Sequence, residues 1–194
     1  MAKKKITKKA RISVVKKRWY PVHAPSLFND IVVGETPAAE PEKVVGRSVI
    51  VNLAKFMRGG RRQNVDVTLR ITKIDAGKCH TEFESMAMAG PYVKRLVKRA
   101  KSRVDDSFVV TTKDSVKLRL KPLVLLRGTV QRSILTDLRN KTQELLTKEA
   151  AELTLNEFIN KIILGDFLKS LKPLLKPIYM VHAVDMRMVV RERK

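Results

Sequence analysis

Forty-one Lys and Arg residues stand against nineteen Asp and Glu in this chain of 194 residues, a formal net charge of +22. Self-repulsion on that scale opposes any compact state, so the chain needs a real apolar core, or a polyanion that neutralises it, or both. With 44% hydrophobic residues it has the material for a core, and its length suits one sizeable domain or two small ones. The distribution of charge is as telling as the sum. Residues 1–20 contribute nine Lys or Arg and no acid, residues 21–60 balance four against four, and residues 61–104 carry eleven basic against four acidic residues. Two basic stretches thus flank a neutral one, and a sequence pI near 10.4 points to a nucleic-acid partner.

Cys79 is the only cysteine, which excludes an internal disulfide and every multi-cysteine zinc site and fits a reducing compartment. No run approaches the eighteen apolar residues of a membrane helix, and the N-terminus lacks the apolar segment of a signal peptide. A transit peptide would be richer in Arg and Ser than this Lys-rich tail. The expected location is cytoplasmic, with no membrane partner.

Residues 1–18 show no periodicity and read as a flexible basic arm; residues 19–194 read as a single α+β domain. Residues 34–43, rich in Pro and Glu, read as an exposed loop, and Val44 to Asn52 as an apolar strand. Val65, Val67, Leu69 and Ile71 alternate with polar residues, the period of a half-buried strand, and Asp75-Ala76-Gly77 turns the chain into a partner strand from Lys78 to Met86. A second hairpin runs from Phe108 to Thr112 and back through Val116, Leu118 and Leu120, with Pro122 ending regular pairing or marking an edge. Between them, Gly90-Pro91 opens a helix whose Tyr92, Val93, Leu96, Val97 and Ala100 face one way and whose cations face the other. Thereafter a helix spans Val130 to about Ala150, Thr154-x-x-Glu157 starts another that stops at Gly165, and a short one follows, limited by Pro173 and Pro177. Residues 178–191 read as a closing strand with Tyr179, Val181, Ala183 and Asp185 on one side. The β-rich part is 44–127 and the helix-rich part 128–177, giving a mainly antiparallel barrel or strongly curved sheet with helices gathered on one side.

No constellation of catalytic residues emerges. His23, His80 and His182 have no second His or carboxylate at metal-binding spacing, so neither metal nor cofactor is expected. Cys79 and His80 are adjacent on a strand, point to opposite faces and cannot act as nucleophile and base. Glu82 and Glu84 share a face with His80, which reads as solvated. Arg58-Gly59-Gly60-Arg61-Arg62 lacks the ending of a nucleotide-binding P-loop but suits an RNA backbone, since guanidinium forks bind phosphate bidentately. Trp19 and Tyr20 can stack on unpaired bases or anchor the arm against the body, and both readings stay open. The candidate RNA-binding residues are Lys3, Lys4, Lys5, Lys8, Lys9, Arg11, Lys16, Lys17, Arg18, Trp19 and Tyr20 in the arm. To these are added Arg58, Arg61 and Arg62 in the loop and Lys94, Arg95, Lys98, Arg99 and Lys101 on the helix. Aromatics are only 5% of the chain, so recognition of folded RNA by shape and phosphate is favoured over reading of single strands.

The order of segments resembles a known family. Lys17-Arg18-Trp19-Tyr20-Pro21-Val22-His23-Ala24-Pro25-Ser26-Leu27-Phe28, Val45-Gly46-Arg47, Val110-Thr111-Thr112-Lys113-Asp114, Leu146-Thr147-Lys148-Glu149 and Ile178-Tyr179 with His182 are similar, in that order, to the S3Ae family, also called e-type S-one, of archaeal and eukaryotic small-subunit ribosomal proteins. The resemblance implies a structural, non-catalytic protein with a barrel-like body. It implies a place on the platform of the small subunit, near the messenger exit and the 3′ end of its RNA. Neighbouring ribosomal proteins are then expected partners, with messenger and initiation factors left open. Lacking the long C-terminal extension of eukaryotic members, the chain looks archaeal; its Gly-Gly-Arg-Arg and 34–43 loops depart from the eukaryotic pattern. The competing class is a freely acting, chromatin-type nucleic-acid binder, for which no recognition-helix motif is present.

Overall fold

A two-residue turn sets the register of the longest ladder. In the computed structural model, which describes residues 16–57, 62–98 and 101–192, β4 (Val65–Asp75) and β5 (Lys78–Met88) pair antiparallel. Ala76 and Gly77 join them at φ of 48° and 79°. Successive positive-φ residues are the signature of a type I′ turn, whose twist matches that of the strands it joins. Val65, Val67, Leu69 and Ile71 are all buried, as their alternation predicts.

β5 is the shared spine of the sheet. Its first half pairs in parallel with β1 (Arg18–His23), Val22 opposite Cys79 and His23 opposite His80, while Ser85 to Ala87 pair antiparallel with β9 (Val181–Arg191). β2 (Val32–Ala38) lies outside β1, and β3 (Ser48–Asn52) outside β4. β9 continues into β8 (Lys117–Leu126), whose far edge is divided between β7 (Phe108–Thr111) and β6 (Arg103–Asp105). The α+β class and mainly antiparallel pairing hold, and of the two forms expected, barrel or curved sheet, the sheet is open rather than closed. Among the described residues, β3 at one margin and β6 and β7 at the other pair with no further strand.

Three helices cover this sheet: α2 (Arg132–Glu152), α3 (Leu155–Leu164) and α4 (Asp166–Leu175). α1 (Gly90–Leu96) stands apart at the end of β5, with no residue fully buried. Leu138 and Leu146 of α2, Phe158 and Ile162 of α3 and Leu171 and Leu175 of α4 join Val67, Leu69, Leu118 and Leu120 of the sheet in one core. A smaller cluster of Val22, Ala38, Val44, Ile71 and Cys79 lies under β1 and β2. Thr154 caps α3 as its sequence pattern indicates, in a reciprocal capping box with Glu157. Gly165, at φ 79°, closes α3 and opens α4 in one residue, a conformation that costs Gly little and other residues more.

Several expectations fail for identifiable reasons. Residues 34–38, the first half of the expected exposed loop 34–43, belong to β2, and Pro37 is tolerated there because β2 is an edge strand. The strand expected from Val44 starts at Ser48, after a 3-10 turn over Pro41–Val44 and a glycine, Gly46, at φ 88°. Pro122 stands on β8 between the end of its pairing with β7 at Leu120 and the start of its pairing with β6 at Leu123, so it marks a gap in the edge without ending β8. A register shift beside it absorbs the missing N–H, and the strand runs on to Leu126. Pro173 lies within α4 rather than beyond it. The closing strand has a different phase: shifts opposite Pro122 and Leu126 turn Val184, Met186 and Val189 inward with Val181, leaving Ala183 and Asp185 half-buried. α1 ends at Leu96, so Lys98 and Lys101 are not on it, and its apolar residues are only half-covered.

Replacing Thr154 with Ala should lower unfolding stability by about 1 kcal/mol through loss of the cap. Phe158→Ala should cost about 3–5 kcal/mol, because a fully buried ring leaves a cavity. Urea unfolding followed by circular dichroism measures both, and equal effects of the two substitutions would contradict the burial described.

Candidate nucleic-acid interface

The acidic residues of this protein are largely committed to holding its own cations. On the exposed face of β5, Glu82 accepts from Arg191 of β9 at 2.8 Å and Glu84 meets Arg70 of β4 at 3.4 Å. Glu192 bridges to Arg119 at 2.6 Å, Asp105 to Arg187 at 2.7 Å and Asp106 to Arg139 at 3.6 Å. Along α2, Glu144 is shared by Lys141 and Lys148, whose hydrogen bonds pull its carboxyl down to about 2. The Arg residues in these pairs are engaged, whatever the sequence suggests about free guanidinium groups. The face of Glu82 and Glu84 is therefore ionic lacing between strands.

Among the described residues, two groups of exposed cations lie beyond the two ends of β5. Lys16, Lys17 and Arg18 are exposed where β1 begins. Because β1 runs parallel to β5 and meets it only at Cys79 and His80, this patch lies beyond the N-terminal end of β5. α1 follows the C-terminal end of the same strand, so the two patches are some 40 Å apart along an extended strand at about 3.3 Å per residue. Trp19 and Tyr20 divide the two roles left open by sequence: Tyr20 packs on the small core cluster, while Trp19 is 65% exposed and free to stack.

At the other end, Lys94, Arg95 and Lys98 are exposed and Lys101 half-buried. The turn at residues 62–64 is tied to the start of α1 there, Ala89 N–H donating to Asn64 O at 2.8 Å. Arg103 of β6 is exposed beside them, and Ser102 N–H donates to Gly128 O at 3.0 Å, which brings Arg127 alongside. Neither Arg103 nor Arg127 was among the sequence candidates: Arg103 closes the basic run of Lys98, Arg99 and Lys101, a signal that could have found it, whereas Arg127 follows the apolar run 123–126 and only strand pairing brings it to the others. Lys3, Lys4, Lys5, Lys8, Lys9, Arg11, Arg58, Arg61 and Arg99 lie outside the described residues.

Other groupings are less promising. A cleft of about 810 Å³ is lined by Arg70, Glu82, Lys117, Arg191 and Glu192, but Glu82 and Arg191 pair with each other, Arg70 with Glu84 and Glu192 with Arg119. His23 and His80 stack with ring centroids 6.3 Å apart, a pairing produced by the parallel register of β1 and β5 rather than by sequence spacing. Among the described residues no three His, Cys, Asp or Glu side chains gather as a metal site. Cys79 is buried, and burial pushes its thiol up against the opposing pull of Arg47, which disfavours the reactive thiolate.

The ribosomal S3Ae family is matched by residues 4–193 of this sequence. The chain belongs to that family. A protein named small ribosomal subunit protein eS1 from Nanoarchaeum equitans is 30% identical over 164 residues, covering 84% of this chain and 83% of its own length. Proteins of the same name from Desulfurococcus amylolyticus and Methanobrevibacter smithii are 31% and 29% identical, covering 87% and 95% of this chain and 79% and 96% of theirs.

The segments that resemble the S3Ae family have structural roles. Lys17 to His23 is the approach to and body of β1, Val45-Gly46-Arg47 is the turn into β3, and Asp114 Oδ2 accepts from Leu155 N–H at 2.9 Å, docking the second hairpin on α3. In this S3Ae-family chain Arg62 is not a free phosphate ligand. Its guanidinium lies over Gly165, in the space a side chain there would need, and its charge reaches Asp185 on β9.

Burial pushes the Asp185 carboxyl above its ordinary value of 3.8, while Arg62 pulls it down. A carboxyl raised in the folded state binds its proton more tightly there than when unfolded. Its contribution to stability is therefore full below about 3.8 and is lost as pH rises through the folded value. Asp185→Asn should raise the urea midpoint at pH 7 and leave it nearly unchanged near pH 3, whereas Arg62→Ala should lower it at pH 7. A fall in stability for Asp185→Asn at pH 7 would show that Asp185 is held by a net favourable pair.

Proposed function

We propose that this protein is a structural, non-catalytic constituent of the small ribosomal subunit, cytoplasmic with the ribosome, that binds ribosomal RNA by neutralising its phosphates. The supporting observation is the convergence of Lys94, Arg95, Lys98, Lys101, Arg103 and Arg127 at one end of the sheet, in a chain whose curated relatives carry a ribosomal name. The basic arm, 1–18, is a second contact and the loop of Arg58 and Arg61 a third. The platform near the messenger exit and the RNA 3′ end is the location this reading adopts, with neighbouring ribosomal proteins as partners. Ile50, 71% exposed on the open edge strand β3, supports a protein neighbour, because β3 (Ser48–Asn52) has no Lys, Pro or bulge to deter pairing.

Binding of the full chain to small-subunit ribosomal RNA should weaken by about 0.7–0.9 log units per log of salt for each phosphate neutralised. Substituting Lys94, Arg95, Lys98 and Lys101 together by Ser should reduce that slope by roughly three, while Glu82→Gln and Glu84→Gln should leave affinity equal or higher. A flat salt response, or a larger loss from the Glu variants, would reject the electrostatic reading. Sedimentation of a native lysate at low and moderate salt supplies the cellular test: equimolar migration with small subunits is expected, and recovery in the free or chromatin fraction would overturn the assignment.

A further inference from the structure

We propose that the pocket between the end of α4 and the start of β9 takes one unstacked nucleotide of RNA, its flanking phosphates held by Arg127, Lys172 and Lys176 and its base lying on Met180 and Pro173. The proposal rests on the RNA-binding reading above and names a site within it that the basic runs of the sequence do not mark. The cavity measures about 310 Å³, at the lower end of the 300–1,000 Å³ usual for small-molecule pockets and so sized for a single base. Its floor is apolar and open: Met180 is 53% exposed, and Pro173 is exposed within α4.

The three cations at the rim are exposed and, among the described residues, engage no acidic side chain, in contrast to Arg70, Arg119, Arg187 and Arg191. Lys172 and Lys176 close α4, where the helix dipole places about half a negative charge. One lysine is enough to offset that, so most of the positive charge of the trio is left for a ligand. The walls are held in place. Arg127 N–H donates to Met180 O at 3.3 Å, and the Tyr179 hydroxyl lies 3.1 Å from where a Cβ on Gly128 would stand. The pocket is also continuous with the larger basic surface, since Ser102, next to Lys101, hydrogen-bonds on both sides of Arg127, to Leu126 and to Gly128. A polyanion that follows Lys98, Lys101 and Arg103 reaches Arg127 next. That continuity favours RNA over an acidic peptide as the occupant.

The test is photocross-linking of the full chain to its organism's small-subunit ribosomal RNA containing 4-thiouridine, with adducts mapped by mass spectrometry. A nucleotide adduct is expected in the tryptic peptide 170–187, which contains Met180. It should disappear in the Arg127→Ser, Lys172→Ser, Lys176→Ser triple variant while adducts near residues 16–23 and 92–101 persist. The triple variant should also lower the salt slope by about 1.4, two phosphates at about 0.7 each. These exposed residues carry no core packing, so the variant's urea midpoint should match the parent's. Adducts at 16–23 and 92–101 with none in 170–187 would overturn this pocket and leave the RNA reading standing, whereas no adducts anywhere would overturn the RNA reading itself. Amine-specific cross-links in intact subunits from Lys172 and Lys176 to another protein would overturn the nucleotide site in favour of a protein contact.

Discussion

Excess positive charge is the condition under which every other feature of this protein has to work. With +22 on 194 residues, cohesion depends on apolar burial together with a sparing use of acids. The acids are placed where they join segments far apart in the chain. Arg191 to Glu82 spans 109 positions, Arg187 to Asp105 spans 82, and Arg119 to Glu192 spans 73. Each exposed pair contributes little by itself, roughly 0–1 kcal/mol. Together they bind Arg residues that would otherwise repel one another across neighbouring strands.

That economy determines which cations are left for the RNA contacts proposed above. Arg70 and Arg191 are paired on the β5 face, and two groups of exposed cations lie beyond the two ends of the same strand. β5 serves both purposes because it carries three partners, β4 along one edge and β1 and β9 in succession along the other. The parallel entry of β1 sends the arm to one end. The antiparallel returns of β8 and β9 bring Arg127 and the end of α4 to the other. A protein with basic surfaces so far apart can hold separate stretches of a folded RNA, a task suited to shape and phosphate recognition.

Much of this was legible in the chain. The alternation from Val65 to Ile71, the Ala76-Gly77 turn and the Thr154-Glu157 cap are local patterns whose physics is complete within a few residues, and each appears in the structure as read. The misreadings share a cause. Pro37, Pro122 and Pro173 all signal a break locally, yet an edge position, a bulge and the surrounding packing accommodate them. The phase of β9 was lost to register shifts that no period-two count detects. The helix expected to carry five cations stops at Leu96, leaving its stripe only partly helical.

The sequence by itself determined the sign and size of the charge, the α+β class, the main hairpins and, through the colinear motifs, the family. These follow from composition and short-range patterning, where each residue's preference depends on its immediate neighbours. Tertiary structure alone decided which cations are neutralised and which are free. It turned Arg62 inward toward Asp185 and over Gly165, stacked His23 on His80 and assembled Arg127, Lys172 and Lys176 around one pocket. Coulombic partnership depends on distance in space, and that distance is set by strand register and helix packing rather than by position along the chain.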